Sequence, residues 1–448
     1  MLEPSGVVTL VSLRDSTALV WAGSIRLQTP PGENVIPRPK RILTIVIPAL
    51  NEEASIGDTV RRCLEARPRI VAGGVVQEVE IIVVSDGSTD RTVEIARQYS
   101  EVTVLVFERN WGYGAAIKCG FEHGRGELLG FLDADGTCDP LIFADLCQAV
   151  EREGADVAIG SRMGSDSAMP ILRRVGNALF SWMLGLLSSR QVRDTASGMR
   201  VVRRECLGDL YPLPDGLQFT PAMSARILIG GDLKLVEVPM PYAKRVGRSK
   251  LSVIRDGLRF FRVIVEAALC YRPARPLMLF ASLFGLVALA TGSAPLWLWL
   301  IEARIEAWMI YRVLLASLLA TAAALTLCAA VVAQRISTLV YSRPEEPLGV
   351  AGIVGKAFTR RGRLLVITIL VAAALTVAWP GLVQLVTSGE VEMHWSRVVL
   401  ASLLVVLSGV TFMTSFFLSL LELIRDRRED PREVYPPDEW HEVRSITA

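Results

Sequence analysis

The sequence predicts an α/β domain with a mostly parallel sheet, followed by four α-helices that span a membrane. After residue 41, short apolar runs alternate with helical segments, as they do in doubly wound sheets. After residue 275, four uncharged apolar stretches each hold at least about 20 residues, enough to cross a bilayer. Hydrophobic residues make up 51% of the chain, and this excess is concentrated in those stretches.

The 448 residues divide into five predicted segments. Residues 1–40 are an N-terminal extension that ends in a proline-rich linker. Its apolar part is interrupted by Glu3, Arg14 and Asp15, so we expect no secretory signal peptide. The other segments are the α/β domain over 41–250, a juxtamembrane helix over 251–275, the four spans over 276–424, and a tail over 425–448.

The α/β domain begins with four strands that alternate with three helices. Strands are predicted over 42–48, 79–85, 102–107 and 127–132, with helices over 54–66, 89–99 and 114–123. Ligands of such sheets bind beyond the carboxyl ends of the strands. Asn51, Asp86, Asn110 and Asp133 all fall at these ends. They are therefore the first candidates for a binding site.

The four predicted spans cover 276–301, 313–334, 364–389 and 398–421. Basic residues are concentrated in the segment 335–363 and in the tail, while the other two connections carry glutamates and few arginines. The positive-inside rule therefore predicts that the α/β domain, the middle connection and the tail face the cytoplasm. We expect a multi-pass protein of the plasma membrane.

Composition excludes several classes of site. The net charge of +2 argues against a nucleic-acid partner. The seven cysteines include no C-x-x-C pair, which favours a reducing compartment over a disulfide framework or a zinc site. The three histidines are too few and too far apart in the sequence for a zinc site or a catalytic triad.

Asp133-Ala134-Asp135 follows the apolar run 128–132. Strand residues two apart point to the same side, so both carboxylates can face one point. Oxygen ligands without histidine or cysteine nearby suit Mg²⁺ or Mn²⁺ held together with substrate phosphates. The alternative for an isolated pair is a solvated turn at the end of a strand.

Two further motifs follow predicted strands. In Ser85-Asp86-Gly87-Ser88-Thr89-Asp90, a carboxylate can contact a base or ribose, and Ser88 or Thr89 is expected to cap the next helix. Asn110-Trp111-Gly112-Tyr113-Gly114 offers two glycines for close backbone approach. Either motif alone is equally compatible with an ordinary strand–helix turn.

Taken in order, the motifs resemble those of family 2 glycosyltransferases with a GT-A fold, a Rossmann-like fold with a mostly parallel sheet. They are Pro48-Ala49-Leu50-Asn51-Glu52-Glu53, the two motifs above, Asp133-Ala134-Asp135 and Gly160-Ser161-Arg162. Two further motifs indicate a smaller group within this family, namely Asp194-Thr195-Ala196-Ser197-Gly198-Met199-Arg200 and Arg245-Val246-Gly247-Arg248-Ser249-Lys250. They are similar to elements of dolichyl-phosphate mannosyltransferase and bacterial polyprenyl-phosphate glycosyltransferases.

The resemblance implies a role for each matched position. A nucleotide diphosphate sugar would be bound by Pro48, Ala49, Asn51, Glu52, Asp86, Gly112, Asp133, Ala134, Asp135, Arg248 and Lys250. The phosphate of a polyprenyl phosphate acceptor would be bound by Arg162, Arg173 or Arg174, Ser197 and Arg200. Asp133 and Asp135 would also hold the metal, and Asp133, Asp135, Asp194 and Arg200 would form the catalytic group.

The sequence departs from the family pattern at two places, one that concerns the metal ligands and one that concerns a catalytic base. Gly136-Thr137 stands where relatives carry a Leu-Gln pair, which leaves a third metal ligand open. The segment 219–226 lacks a glutamate common in relatives. A hydroxyl acceptor needs a base, whereas a phosphate monoester is already charged at pH 7. Asp194 is therefore expected to orient arginines, which bind phosphate through two parallel hydrogen bonds.

The segments 169–190 and 251–272 mix arginine with large apolar residues. Helices of this composition can lie in the headgroup layer of a membrane, although ordinary amphipathic helices of a protein core have the same composition. Together with these observations, the family resemblance implies an inverting, metal-dependent transferase that moves a sugar to a polyprenyl phosphate. Transfer to a glycerolipid or polysaccharide hydroxyl, and a non-catalytic nucleotide-sugar-binding membrane scaffold, remain alternatives. The sugar, and whether the chain forms a homo-oligomer, are left open.

Overall fold

A computed structural model of the chain describes residues 41–164, 167–188, 190–246, 252–302, 305–341 and 359–428. The predicted extension and linker over 1–40 and the tail beyond residue 428 lie outside the described residues. Much of the connection between the second and third predicted spans, over 342–358, also lies outside them.

The described part of the α/β domain contains a seven-stranded sheet in the order β3-β2-β1-β4-β6-β5-β7. Only β6 runs antiparallel to its neighbours β4 and β5, which confirms the mostly parallel sheet. The strands are β1 Ile42–Ala49, β2 Glu78–Ser85, β3 Thr103–Val106, β4 Leu128–Phe131, β5 Val157–Ser161, β6 Arg200–Arg203 and β7 Leu235–Pro239.

Helices cover both faces of this sheet. They are α1 Ile56–Ala72, α2 Thr92–Ala96, α3 Tyr113–His123, α4 Ile142–Arg152, α5 Ile171–Leu187, α6 Leu207–Leu210, α7 Phe219–Gly230 and α8 Val253–Tyr271, with a short 3-10 turn at Arg204–Cys206. Apolar residues of α1 and α4 pack on one face, and those of α3 and α7 pack on the other. The arrangement is the three-layer sandwich expected of a doubly wound fold.

Strand β1 is the centre of this core. Ile45 and Ile47 pack toward α1 and α4, while Val46, between them in sequence, packs toward α3. All three side chains are fully buried. A strand covered on both faces needs a continuous apolar run, which is why its sequence could be recognised as buried.

Helix α2 differs from the prediction, which placed a helix over 89–99 with Ser88 or Thr89 as its cap. The helix begins at Thr92, and the Asp90 carboxylate accepts a hydrogen bond from the Thr92 amide at 3.0 Å. Ser88 and Thr89 instead contact Asn51, whose side-chain oxygen accepts from the Thr89 amide at 2.8 Å. The predicted cap is wrong because these two residues join two neighbouring loops.

Helices α5 and α8 pack against α7 through a separate apolar cluster that includes Leu184, Leu228 and Ile264. The rings of Phe180 and Phe260 also meet edge to face at 5.9 Å. Each helix nevertheless leaves a stripe of large apolar residues exposed. The stripes comprise Ile171, Leu172, Val175, Leu179, Trp182 and Leu186 on α5, and Ile254, Leu258, Phe261 and Leu269 on α8.

Within the part of the chain that the structure describes, four helices are long and apolar enough to cross a membrane, as predicted. They are α9 Ala274–Glu302, α10 Ile310–Tyr341 (preceded by a 3-10 turn at Ala307–Met309), α11 Arg360–Ser388 and α12 Trp395–Arg428. Two residues separate the end of α8 at Tyr271 from Ala274, and the Ser337 hydroxyl of α10 donates to the Cys270 carbonyl at 3.0 Å. The spans therefore connect directly to the α/β domain.

Candidate active site

A cavity of about 780 Å³ opens where the carboxyl ends of β1, β2 and β4 meet. It extends from these loops to the space between α5 and α8. Its lining includes most of the residues predicted to bind a nucleotide sugar, namely Pro48, Ala49, Glu52, Asp86, Gly112, Asp133, Ala134 and Asp135. One continuous cavity thus has a polar, acidic end and an apolar end.

Asp133 and Asp135 face the acidic end of the cavity together. Burial, and then the charge of Asp135, raise the pKa of Asp133 to about 7. The Tyr113 hydroxyl donates a hydrogen bond to Asp133 Oδ1 at 2.7 Å, and the Thr137 hydroxyl donates to Asp135 Oδ1 at 2.6 Å. Neither Tyr113 nor Thr137 was predicted to orient these carboxylates.

The convergence of the two carboxylates was predicted, but the proposed reason was wrong. β4 ends at Phe131, so both residues lie in the following turn rather than on the strand. Gly198 fixes the position of Asp133 from the other side, because a Cβ at Gly198 would lie 2.1 Å from Asp133 Oδ2. A glycine therefore lets the backbone approach this carboxylate so closely without displacing it.

Arg245 is a further site residue that had no predicted role. Its guanidinium lies 2.7 Å from Glu52 Oε1 and 3.2 Å from Asp135 Oδ2. It therefore joins the loop after β1 to the Asp133–Asp135 turn and neutralises part of their charge. Its position in the Arg245–Lys250 motif was the only signal in the sequence.

The two carboxylates fit a divalent cation. Crowding two buried acids is unfavourable unless a cation lies between or beside them, and carboxylate oxygens are the ligands that Mg²⁺ and Mn²⁺ prefer. Among the described residues there is no cluster of three or more His, Cys, Asp or Glu side chains that could hold a metal alone. A cation here would need further oxygen ligands, such as those of water or of a diphosphate.

Asp86 organises the neighbouring loop. Its carboxylate accepts hydrogen bonds from the amides of Trp111 at 2.7 Å and of Gly112 at 3.0 Å. Burial raises the pKa of Asp86, although both amides act in the opposite direction. The first amides of α3 donate to the Asp215 carbonyl, so the close approach predicted for Gly112 and Gly114 is to the chain's own backbone.

Asn51 does not line the cavity, although it was predicted to bind the nucleotide. Its backbone has a positive φ of 47°, and its side chain joins its own loop to Thr89. The conformation and the contact explain why a small amide side chain occurs here. Asn51 positions the loop that carries Glu52.

On the opposite side of the cavity, Asp194 holds Arg162. Asp194 accepts from the Arg162 backbone amide and, through both carboxylate oxygens, from its guanidinium at 2.7 Å. Burial opposes both charges, yet Asp194 raises the pKa of Arg162, and Arg162 lowers that of Asp194. Arg162 lines the cavity, so the contact expected of Asp194 is present.

Of the other residues predicted to contact the phosphate, only some line the cavity. Arg173 lines the cavity, whereas Arg174 donates to the Gly164 carbonyl outside it. Ser197 is fully buried, and its hydroxyl donates to the Gly160 carbonyl. Ser197 therefore does not line the cavity, and its contact with a phosphate stays a prediction. Arg248 and Lys250 lie outside the described residues.

Arg200 is also not a lining residue. It is fully buried, and its guanidinium donates to the carbonyls of Thr195 and Ser197. Burial lowers its pKa to about 10. Its side chain therefore supports the loop that carries Thr195 and Ser197, and its contact with a phosphate stays a prediction.

The apolar end of the cavity lies between α5 and α8. Leu172, Leu179 and Phe180 come from α5, and Leu258 and Phe261 from α8. Arg173 and Arg259 also line this end, so cationic side chains lie beside the apolar surface. The sequence had predicted amphipathic helices here, but not that they form one wall of the site.

Comparisons with known proteins identify a sequence family and several similar proteins. Residues 44–210 match the sequence model described as Glycosyl transferase family 2. A dolichyl-phosphate hexose transferase from Haloferax volcanii is 32% identical over 231 residues, which cover 51% of this chain and 94% of that protein. The low-salt glycan biosynthesis hexosyltransferase Agl6 of the same organism is 32% identical over 243 residues, and the match spans 52% of this chain and only 55% of Agl6.

Among solved structures, glucosyl-3-phosphoglycerate synthase from Mycobacterium tuberculosis, in complex with Mn²⁺, UDP and phosphoglyceric acid, is similar with a TM-score of 0.40. It is 22% identical, and the match covers 51% of this chain and 78% of that one.

Proposed function

The chain belongs to glycosyltransferase family 2, and from this premise we propose that it transfers a sugar from a nucleoside diphosphate sugar to the phosphate of a polyprenyl lipid. The observation that carries the proposal is the single cavity that runs from the Asp133–Asp135 pair to the apolar groove between α5 and α8. A charged donor fits the acidic end, and the polyprenyl chain of a lipid phosphate fits the apolar end.

The donor would bind at the acidic end. Asp86 and the loop after β1 line the space for the nucleoside, and the diphosphate would extend to Asp133 and Asp135. Mg²⁺ or Mn²⁺ held by these two carboxylates and the diphosphate would neutralise the charge of the leaving group. Arg248 and Lys250 are proposed to close over the donor, as the family resemblance implies.

The acceptor phosphate would bind between the two ends. Arg162 is held in place by Asp194, and Arg173 faces the same cavity from α5. A guanidinium that is already oriented loses little freedom when it binds a phosphate through two parallel hydrogen bonds. The polyprenyl chain would lie in the groove, where Leu172, Leu179 and Leu258 present apolar surface.

The reaction then requires no protein base. An oxygen of the acceptor phosphate attacks the anomeric carbon, and the bond from that carbon to the diphosphate oxygen breaks. The electron pair leaves with the nucleoside diphosphate. Attack opposite the leaving group inverts the anomeric configuration. Since the phosphate is already ionised at pH 7, the protein's contribution is to position both substrates and stabilise charge.

We place this reaction at the cytoplasmic face of the plasma membrane. The segment 335–363 carries six basic residues, namely Arg335, Arg343, Lys356, Arg360, Arg361 and Arg363. These positions favour the cytoplasmic side by the positive-inside rule. The exposed apolar stripes of α5 and α8 support contact of the α/β domain with the same membrane surface.

The experiment uses the full chain in detergent with a panel of nucleotide sugars, Mg²⁺ or Mn²⁺, and a short polyprenyl phosphate. We expect one donor to give an anionic glycolipid and a free nucleoside diphosphate. Asp135→Asn should remove turnover, whereas Asp139→Asn should retain it because Asp139 lies four residues along and does not line the cavity. The absence of product with every common donor would contradict the proposal.

The same assay separates the alternatives. A neutral glycolipid or an extended polysaccharide would indicate transfer to a hydroxyl. Binding of a nucleotide sugar without release of the nucleoside diphosphate would indicate a non-catalytic scaffold. Either result would contradict the proposal that the acceptor at this site is a phosphate.

A further inference from the structure

Asp133 lies between two segments of the α/β domain. The Tyr113 hydroxyl of α3 donates to Asp133 Oδ1, and the backbone at Gly198 approaches Asp133 Oδ2. The first turn of α7 reaches the same region, since a Cβ at Gly114 would lie 2.9 Å from the Phe219 ring. The start of α7 is therefore close to one of the two carboxylates that are proposed to hold the cation.

Thr220 follows Phe219 in α7, and it lines the cavity. Ser224, one turn further along this helix, donates its hydroxyl to the Thr195 carbonyl at 2.8 Å. Residues four apart share a face of a helix. Thr220 is therefore on the face of α7 that packs against the segment 195–198, at the edge of the cavity.

The Thr220 side chain is buried without a hydrogen-bond partner in the protein. Thr220 is only 4% exposed, and its hydroxyl forms no hydrogen bond with another of the described residues. Burial of a hydroxyl is unfavourable unless the group is hydrogen-bonded, and most buried polar atoms in proteins have a partner. Since Thr220 lines the cavity, a ligand bound there can supply this partner.

The wall around Thr220 carries no charge. It is formed by five lining residues from the segment before β6 and from the start of α7, namely Ala196, Gly198, Gly216, Leu217 and Thr220. Asp215, the nearest charged residue in the sequence, pairs with Lys118 and does not line the cavity. An ionised group against this wall would lose water without gaining an opposite charge from it. The wall therefore suits an uncharged group that carries hydroxyls.

We propose that this wall holds the sugar of the donor, that the sugar is uncharged, and that Thr220 forms a hydrogen bond with one of the sugar hydroxyls. In the proposed function, on which this inference rests, the nucleoside lies near Asp86 and the diphosphate at Asp133 and Asp135. A donor that extends in this direction continues past Asp133, and its sugar then meets the start of α7. Thr220 would thus help to determine which sugar is bound.

The test is calorimetric binding of nucleotides to the full chain in detergent, with Mn²⁺ and without an acceptor. The probes are UDP-glucose, UDP-galactose, UDP-N-acetylglucosamine, GDP-mannose and UDP-glucuronate, with UDP and GDP as references. We expect one of the uncharged sugars to give the tightest-binding donor. Thr220→Val should weaken binding of this donor about five-fold, because one neutral hydrogen bond is lost, and should leave the affinity for its nucleoside diphosphate unchanged.

Two further variants serve as controls. Thr220→Ser keeps the hydroxyl and should bind the donor as the wild type does. Thr103→Val makes the same change at an exposed position of β3 that does not line the cavity, and it should also bind as the wild type does. Because the Thr220 hydroxyl contacts no described residue, Thr220→Val should not lower the unfolding temperature of the free protein. A clear decrease would assign the hydroxyl to a structural contact and overturn the proposal.

Other outcomes separate this proposal from the proposed function. Equal affinity of wild type and Thr220→Val for the donor would overturn the contact with the sugar, as would equal weakening of the donor and its nucleoside diphosphate. Tightest binding of UDP-glucuronate would overturn the uncharged sugar. These results would leave transfer to a lipid phosphate standing, whereas failure of every nucleotide sugar to bind would overturn both.

Discussion

The guanidinium of Arg245 lies 3.2 Å from a carboxylate oxygen of Asp135, in the position where a cation would relieve the crowding of Asp133 and Asp135. The same guanidinium lies 2.7 Å from Glu52. Arg245 therefore fixes the end of the α/β domain to the acidic end of the cavity, and it stabilises the two carboxylates by opposite charge. A bound divalent cation and Arg245 would compete for Asp135.

This competition predicts that Arg245→Gln binds Mn²⁺ more tightly in the absence of donor. Removing a positive charge near the cation site should increase the affinity by about ten-fold or more, because like charges at this separation repel strongly. Titration of the free protein with Mn²⁺, followed by electron paramagnetic resonance, measures the affinity directly. Arg109→Gln is the control, since Arg109 is exposed and stacks on the Trp111 ring. Weaker binding of Mn²⁺ by Arg245→Gln would show that Arg245 supports the cation site instead.

Variants of the Arg162–Asp194 pair should change the stability of the protein and its transfer activity to different extents. Asp194→Asn leaves a buried guanidinium without its carboxylate, which should cost about 3 kcal/mol and lower the unfolding temperature. Arg162→Gln/Asp194→Asn removes both charges and should recover most of that stability, but not turnover. Asp58→Asn, which breaks an exposed pair with Arg61, should change stability by less than about 1 kcal/mol. Full activity of the double variant would remove Arg162 from the acceptor site.

Gly198 should tolerate no side chain. In Gly198→Ala the new methyl group would lie 2.1 Å from Asp133 Oδ2, so the carboxylate must move. Since small displacements of catalytic groups cost about 100-fold in rate, we expect a loss of that order in kcat. Gly208→Ala is the control, because a Cβ there meets nothing within 4 Å. Equal rates for the two variants would show that Asp133 need not hold this position.

The groove between α5 and α8 predicts a dependence on acceptor length. Leu258→Gln places an amide in the cavity wall, so it should raise the KM for a long polyprenyl phosphate several-fold more than for a short one. Leu269→Gln is the control on the same helix, because Leu269 is exposed but does not line the cavity. If both variants raise KM equally, the effect comes from membrane contact and not from a lipid-binding groove.

The sequence was sufficient for the architecture and for most of the residues that line the acidic end of the cavity. The continuous apolar run of β1 and the four uncharged stretches predicted the sheet and the spans, because burial in a core or a bilayer excludes charge over whole segments. The residues that follow β1, β2 and β4 line one cavity because the carboxyl ends of parallel strands meet at one edge.

Contacts between distant segments could not be predicted. Arg245 and Glu52 are 193 residues apart, and no local pattern indicates that their side chains meet. Ser197 and Arg200 belong to a recognised motif, but a motif does not say which of its side chains face the cavity. Both side chains contact backbone carbonyls in the interior, which only the packing of the sheet decides.

The central claim is that the acceptor is a lipid phosphate, and the most direct measurement compares a polyprenyl phosphate with the matching polyprenyl alcohol. Both lipids present the same chain to the groove, so only the phosphate distinguishes them. We predict transfer to the phosphate alone, with Arg162→Gln reducing that transfer by about 100-fold or more. Transfer to the alcohol at a comparable rate would contradict the account.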